Sequence, residues 1–270
     1  MFDALLHARA LGPRDLADLR FFGVTGGLVP SDDAVPASTA AAVRRGWEEV
    51  VLAVRRLRRA GLAAWGAVGV HPRRVPLRGL EALLADLPAA LGRPGIAAVG
   101  AVGLDAGGEL EERVLVRQLE LARELRLPVV VTTPWRGKDR VTRRVLTLLR
   151  EAELDPARVL VTGADARTVR AIRACGHVAG LSLSGEGLER AVALVAALGP
   201  NGLVLGTDAG LAGGDLLALA RAADRLARAG LSEAVVRRVC GGNALGWLRV
   251  EPPSLAPSGA RRGGGRSPGR

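Results

Sequence analysis

The chain is poor in cysteine and aromatic residues, and each shortage excludes a class of protein. Its 270 residues include two cysteines, Cys175 and Cys240, and no tyrosine. Two cysteines are too few for a disulfide-stapled secreted domain or a cysteine-based zinc or iron–sulfur site. An aromatic content of 3% leaves little for the stacking surfaces of single-strand nucleic-acid binders. No apolar run approaches the roughly 20 residues that span a bilayer, so we expect no membrane partner.

The N-terminal segment MFDALLHARALG has no basic stretch ahead of an apolar one. This pattern is not that of a cleaved secretion signal. Together with the low cysteine content, it predicts a cytoplasmic protein.

Lysine is nearly absent although the chain is strongly basic. The formal net charge is +11 at pH 7, and Lys138 is the only lysine among 38 basic residues. Such a skew towards arginine is typical of coding bias. Net charge governs non-specific association rather than fold. We therefore expect at most weak, non-specific nucleic-acid binding through arginine.

Short apolar runs alternate with helical patterns along residues 1–250, which predicts an α/β fold with a parallel sheet covered on both faces. Eight such units favour a single-domain (β/α)8 TIM barrel, with extra C-terminal helices over Ser232–Cys240 and Asn243–Leu248. The Pro/Gly/Arg-rich residues 251–270 have too few apolar side chains to fold, so we expect a disordered tail. The predicted strands are Phe2–Leu6, Val24–Val29, Ala64–Val70, Ala97–Gly103, Pro128–Thr133, Arg158–Thr162, Val178–Leu183 and Leu203–Thr207.

Helices are predicted between these strands from the spacing of apolar residues. No GxGxxG or P-loop motif follows any strand, which argues against a dinucleotide-binding fold. The predicted helices are Pro13–Arg20, Ser38–Arg59, Leu77–Leu91, Glu109–Arg126, Asp139–Glu151, Ala166–Ala174, Glu186–Ala197 and Asp215–Ala229.

Polar residues end several of the predicted strands. In a TIM barrel the reactive side chains come from the carboxyl ends of the strands and the loops that follow them. Solvent exposure at a strand end also explains a single threonine or serine there, so both interpretations stay open for each residue alone. The polar strand-end residues are His7, His71, Asp105, Thr132, Thr133, Ser182, Ser184 and Asp208.

Six segments, in order, resemble the TatD-like metal-dependent hydrolases of the amidohydrolase superfamily, and in particular a branch with a PxxxHTPRxxK-type segment. FDALLHARALG is similar to the opening Asp-x-His-x-His strand, GAVGVHPRRVP to the GxHP turn, and AAVGAVGLDAG to the segment that normally reads IGEIGLD. LPVVVTTPWRGKDRVTRRVL resembles the fifth-strand motif, ARVLVTGADARTVRAI the sixth-strand motif, and LVLGTDAG the strand with the last acidic ligand. Asn243 matches the asparagine of the closing helix. The resemblance covers nearly all of residues 1–250 and implies a barrel derived from divalent-metal hydrolases of phosphoester or related bonds.

The resemblance also implies a site with two metals, held by four histidines, a glutamate and an aspartate, and here four of these six positions differ. Only His7 and Asp208 remain. Aliphatic side chains and glycine have no donor atom, and a threonine hydroxyl is a poor substitute for imidazole. The four replaced positions are Leu5, Ala101, Thr132 and Gly163.

We therefore expect a degenerate metal site, impaired catalysis, no tightly bound cofactor, and a role in binding an unknown small molecule or protein. If the enzyme is active, a reduced site would hold Zn, Mn, Mg or Ni through His7 and Asp208 with a neighbour such as Asp105 or Asp165, and Asp208 would be the catalytic base. A third hypothesis is an arginine-mediated polyanion binder. The candidate substrate-binding residues are His71, Thr132, Arg136 and Lys138.

Overall fold

The computed structural model describes residues 1–32, 39–211 and 214–250, and within them eight parallel strands form a barrel in the order β1 to β8. This confirms the predicted TIM barrel. The strands are mostly apolar and largely buried on both faces, as expected where helices cover the outside. The strands are β1 (Phe2–Asp3), β2 (Gly26–Pro30), β3 (Ala63–Val68), β4 (Ile96–Gly103), β5 (Val129–Thr132), β6 (Val159–Thr162), β7 (Val178–Ser182) and β8 (Leu203–Gly206).

Helices alternate with these strands and lie on the outside of the barrel. The Thr39 hydroxyl accepts a hydrogen bond from the Ala42 amide at 3.1 Å and so caps the start of the longest helix. The helices are α1 (Pro13–Phe21), α2 (Ala40–Arg59), α3 (Leu80–Leu91), α4 (Glu109–Glu124), α5 (Lys138–Glu151), α6 (Val169–Ala174), α7 (Gly187–Leu198), α8 (Ala218–Arg228), α9 (Glu233–Arg237) and α10 (Asn243–Leu248).

β1 is shorter than the sequence predicts, but the residues after Asp3 still bond to the strands on both sides. The Leu6 amide donates to the Leu28 carbonyl of β2 at 2.9 Å. The Ala4 amide donates to the Leu205 carbonyl at 3.1 Å, and the Asp208 amide donates to the Leu5 carbonyl at 3.1 Å. The buried Asp3 carboxylate accepts hydrogen bonds from the Leu5 amide (3.0 Å) and from the Thr207 amide (3.1 Å) and hydroxyl (2.5 Å). These bonds join the first strand to the last.

Two apolar cores stabilise the barrel. The outer core lies between strands and helices, and the inner core fills the barrel itself with residues such as Phe2, Leu28 and Val130. Trp247 and Leu248 of α10 join this inner cluster, so the C-terminal helix closes the bottom of the barrel. The polar strand ends are thereby left at the opposite, open end.

Two further sequence predictions concern the C-terminal tail and membrane-spanning segments. The predicted disordered tail at 251–270 lies outside the described residues and stays a prediction. Within the described ranges, no helix is long and apolar enough to cross a bilayer.

Candidate active site at the mouth of the barrel

A cavity of about 250 Å³ lies at the carboxyl ends of the strands, and we call it the mouth cavity. All six positions that the resemblance assigns to a metal site, called the inherited positions below, line it, together with three of the four candidate substrate-binding residues. Arg136 is exposed on the loop after β5 and does not line it, so its contact with substrate stays a prediction. The lining residues used below are Leu5, His7, Asp32, His71, Ala101, Thr132, Lys138, Gly163, Ser182, Ser184 and Asp208.

His7 lies between two carboxylates. Its Nδ1 is 3.3 Å from Oδ2 of Asp32, and its Nε2 is 3.8 Å from Oδ1 of Asp208. The imidazole is 8% exposed. Burial lowers the pKa of His7, but the two carboxylates outweigh burial and raise the pKa to about 9. The ring is therefore protonated at neutral pH, with a negative charge facing each nitrogen.

Asp208 is held by hydroxyl groups as well as by His7. The Ser182 hydroxyl donates to Oδ2 of Asp208, and the Ser184 hydroxyl lies 3.5 Å from the same oxygen. Asp208 has φ of 53°, a left-handed conformation that aspartate and asparagine adopt more readily than most residues. A chain of polar contacts thus runs from Asp32 through His7 and Asp208 to the end of β7, in which His7 and Asp208 form an ion pair rather than a hydrogen bond.

Sequence reasoning missed Asp32. It comes two residues after β2, so the rule that polar residues follow barrel strands also applies to it. None of the six metal-ligand positions implied by the resemblance is residue 32, so the family motifs do not indicate Asp32.

On the other side of the cavity the inherited ligand positions have no donor of the expected kind. The Ala101 side chain is a methyl group, the Thr132 side chain has a hydroxyl, and Gly163 has no side chain. Gly163 also has φ of 72°, a backbone conformation that favours glycine. A Cβ added at Gly163 would lie 3.2 Å from the Thr133 hydroxyl and 3.5 Å from Nζ of Lys138. The space that a histidine would need is thus partly filled.

Lys138 fills that space from the start of α5. Its Nζ donates to the Gly163 carbonyl and lies 5.4 Å from the centre of the Trp135 ring. Burial lowers the pKa of Lys138, while Asp165 and Asp139 act in the opposite direction. The ammonium group is therefore partly desolvated at the edge of the cavity.

A turn and an ion pair form the rim of the cavity near β3 and β4. His71 Nδ1 accepts a hydrogen bond from the Arg73 amide at 3.3 Å, and Nε of Arg73 lies 2.9 Å from Oδ1 of Asp105. Glu111 accepts hydrogen bonds from three consecutive amides, at residues 105 to 107. His71 thus has a turn-capping contact as well as a place on the cavity wall.

A family model for TatD-related DNases matches residues 14–211. The chain belongs to the TatD family. This TatD protein is 29% identical over 170 residues to an uncharacterized metal-dependent hydrolase from Methanocaldococcus jannaschii, covering 63% of this chain and 67% of that protein.

Two solved structures show the same fold as this TatD chain. A TatD-like protein from Archaeoglobus fulgidus has a TM-score of 0.78 and 24% identity, with 93% of this chain and all of that chain covered. A phosphotriesterase homology protein from Escherichia coli has a TM-score of 0.68 and 16% identity, with 92% and 98% covered.

The family implies a divalent metal in its active members, and the residues of this TatD chain do not fit such a centre. A catalytic zinc commonly has three protein ligands. Over residues 1–32, 39–211 and 214–250, no group of three histidine, cysteine or acidic side chains is placed to hold an ion. His7 and Asp208 are close, but Asp32 faces the other nitrogen of the His7 ring. The three side chains therefore do not converge on one point.

Proposed function

We propose that this TatD chain has a degenerate metal site, is impaired as a hydrolase, and acts as a binding or partner protein through the mouth cavity. One observation carries the proposal. All six inherited positions line one cavity, and four of them are Leu5, Ala101, Thr132 and Gly163. Three of these have no donor atom, and threonine is a poor ligand for zinc or manganese.

The loss of the donors removes the chemistry that a divalent ion supplies in this family. Such an ion lowers the pKa of a bound water and stabilises charge in the transition state as a Lewis acid. In this chain the remaining imidazole is paired with two carboxylates, and the Lys138 ammonium borders the vacated position at Gly163. The arrangement supports recognition of a polar ligand rather than activation of water.

The ligand chemistry at the mouth favours a small polar molecule or a protein segment with polar side chains. Ser182, Ser184 and Lys138 offer hydroxyl and ammonium groups around the cavity. The E. coli phosphotriesterase homology protein carries phosphate in its active site, which supports anion recognition at this end of the barrel. His71 and Thr132 complete the proposed contacts, while Arg136 would act from the exposed loop.

The second candidate function is an active hydrolase with a reduced, single-metal site. Asp32 favours it, because a carboxylate behind a metal-binding histidine commonly orients the ring and raises its basicity. In that case His7 and Asp208 would hold the ion, and Asp208 would accept the proton of the attacking water.

Metal analysis separates the two functions. Untagged protein is purified without added metal, then analysed by elemental mass spectrometry and assayed on phosphodiester and carboxylester substrates with added Mn²⁺ or Zn²⁺. The degenerate site predicts far less than one ion per chain and no turnover above a metal-only blank. One tightly bound ion with turnover that chelation abolishes, and that the ion restores, would overturn the proposal in favour of the hydrolase.

Two further expectations belong to the same proposal. The protein functions in the cytoplasm, in keeping with two cysteines that form no disulfide. Nucleic-acid binding is weak and non-specific, so its affinity falls steeply and equally for all sequences as salt rises.

A further inference from the structure

A second and larger cavity, of about 810 Å³, opens beside the mouth cavity, and we call it the side cavity. The two share part of their walls, so the side cavity is open to the inherited site. Its volume falls in the range of small-molecule sites, roughly 300 to 1,000 Å³. The shared residues are Trp135, Lys138, Gly163, Ser182 and Ser184.

The side cavity exists because one helix of the barrel wall is short. α6 has 6 residues and so extends about 9 Å, whereas α5 has 14 residues and extends about 21 Å. Side chains of α5 and α7 therefore line the same space although α6 lies between them in the chain. The gap opens towards the carboxyl ends of β6 and β7.

The floor of the side cavity is apolar and its rim carries an exposed aromatic ring. Leu181 is 2% exposed and lines the floor with Ala191 and Leu194 of α7. Trp135 is 74% exposed at the junction with the mouth cavity. An apolar floor with an indole at its edge is suited to a planar or apolar molecule.

Most of the charged residues around this floor are basic, and one of its four arginines, Arg190, is paired with an acidic side chain, Glu186. Five basic and two acidic side chains line the side cavity. Arg140, Arg143 and Arg167 form no ion pair with any residue in the described parts of the chain, whereas many other arginines do. The basic residues are Lys138, Arg140, Arg143, Arg167 and Arg190, and the acidic residues are Asp139 and Asp165.

Asp165, one of the two acidic side chains, is already engaged locally. Its Oδ1 accepts hydrogen bonds from the amides of Arg167 and Thr168, both at 3.0 Å, and from the Thr168 hydroxyl at 2.9 Å. Arg143 donates from Nε to the backbone carbonyl of Asp139 at 3.2 Å. Both carboxylates keep their charge, so the five basic and two acidic side chains leave a formal charge of +3 around the side cavity.

We propose that the side cavity binds a small organic anion, with its apolar body on the floor beside Trp135 and its carboxylate or phosphate against Arg143 and Arg167. Guanidinium groups recognise both anions through paired hydrogen bonds. This inference goes beyond the proposed function, which places binding in the mouth cavity. A nucleic acid fits less well, because it needs a track of phosphate contacts rather than a cavity for one apolar body.

Calorimetry on the full chain in EDTA tests the inference, with 1-naphthyl phosphate and 1-naphthoate as the two anionic probes. We expect at least one to bind about tenfold more tightly than either inorganic phosphate or 1-naphthol, because only the probes combine apolar and anionic parts. The stronger of the two shows whether phosphate or carboxylate is preferred.

Two double variants locate the binding. Arg143→Gln with Arg167→Gln is expected to weaken the probe about tenfold or more, since both charged contacts are lost. Arg45→Gln with Arg55→Gln makes the same charge change on exposed residues of α2 and should leave the affinity unchanged. Trp135→Ala should weaken the naphthyl probes but not inorganic phosphate.

Three results would overturn the inference: no preference for the probes over phosphate and naphthol, equal losses in both double variants, or displacement of the probe by an oligonucleotide at lower concentration. These outcomes are independent of metal content, because EDTA is present throughout. Metal-dependent turnover would overturn the proposed function alone, and failure of the probes to bind would overturn this inference alone.

Discussion

The mouth of the barrel has two sides that differ in what they keep of the inherited site. On the β7–β2 side, formed by the ends of β7, β8, β1 and β2, His7 and Asp208 remain and Leu5 is the single replacement. On the β4–β6 side, all three ligand positions are replaced, by Ala101, Thr132 and Gly163.

The retained groups are those that bind one another. His7 contacts Asp32 and Asp208, and Asp208 also accepts a hydrogen bond from Ser182. Without a metal, these groups still have partners, whereas a histidine or glutamate whose partner was the metal would be buried and unpaired. A buried unpaired polar group costs free energy. In the proposed degenerate site, the retained groups are thus those that also have a partner in the protein.

The largest expected effect comes from returning donors to the β4–β6 side. Ala101→Glu combined with Thr132→His adds two donors to the cavity that already holds His7 and Asp208. We expect zinc affinity to rise by about a thousandfold, because four ligands replace two. Competition with a chromophoric chelator measures it. The control, Ala101→Gln with Thr132→Gln, has similar size and should bind no more zinc than wild type; equal binding by both would contradict the comparison.

The next largest expected effect is a pH-dependent change in the free energy of unfolding, caused by Asp3 beneath the β7–β2 side. Burial raises the pKa of Asp3 to about 6, although hydrogen bonds from Thr207 and Leu5 act in the opposite direction. A raised carboxyl pKa means that folding favours the protonated form. Relative to Asp3→Asn, wild-type stability should therefore fall by about 3 kcal/mol as the pH rises from about 3.8 to 6, and stay level above 6.

Urea unfolding of wild type and Asp3→Asn across this pH range measures the difference. The asparagine has the same shape, and its Oδ1 can still accept from the Leu5 and Thr207 amides. Its Nδ2 can only donate, so the bond with the Thr207 hydroxyl must reverse, but that difference does not depend on pH and the pH-dependent part isolates the charge. A pH-independent difference, or one that changes in favour of wild type, would contradict the raised pKa.

A smaller expected effect is the difference in stability lost when a polar side chain is replaced on each side. Asp208→Asn should destabilise the protein by about 1 to 2 kcal/mol, because His7 loses a carboxylate and Ser182 an ionised acceptor. Asparagine tolerates the left-handed backbone at this position, so strain does not contribute. Thr132→Val, of similar size on the β4–β6 side, should change stability by less than about 0.5 kcal/mol. Equal losses in urea unfolding would remove the distinction between the sides.

The smallest effect is expected from Lys138. Lys138→Met keeps the length of the side chain but removes the donor to the Gly163 carbonyl and the cation beside Trp135. We expect a loss of about 0.5 to 1 kcal/mol in urea unfolding. Arg136→Met, on the exposed loop, is the control and should change stability less. A gain in stability would show that the ammonium is held at a net cost.

The sequence predicted the barrel because each strand is a short apolar run and each helix has regular apolar spacing, as in β5 and α5. The boundaries differed at strand ends, as in β1, whose regular pairing with β2 ends at Asp3 although the Leu6 amide still donates to the Leu28 carbonyl. For the site, the sequence predicted that His7 and Asp208 lie at strand ends. The role of Asp32 was not, because nothing in the local sequence states which nitrogen of His7 it faces.

The amino-acid sequence by itself determined the alternation of strands and helices and the family, since both depend on residue type and order. It also has different residues at four of the six positions that the resemblance assigns to a metal site. Only the tertiary structure decided that Lys138 borders the space at Gly163, that Asp32 and Asp208 face opposite sides of one imidazole, and that a short α6 opens a second cavity. These features depend on distances between residues that are 25 to 201 positions apart in the chain, and such distances are fixed by the closure of the barrel.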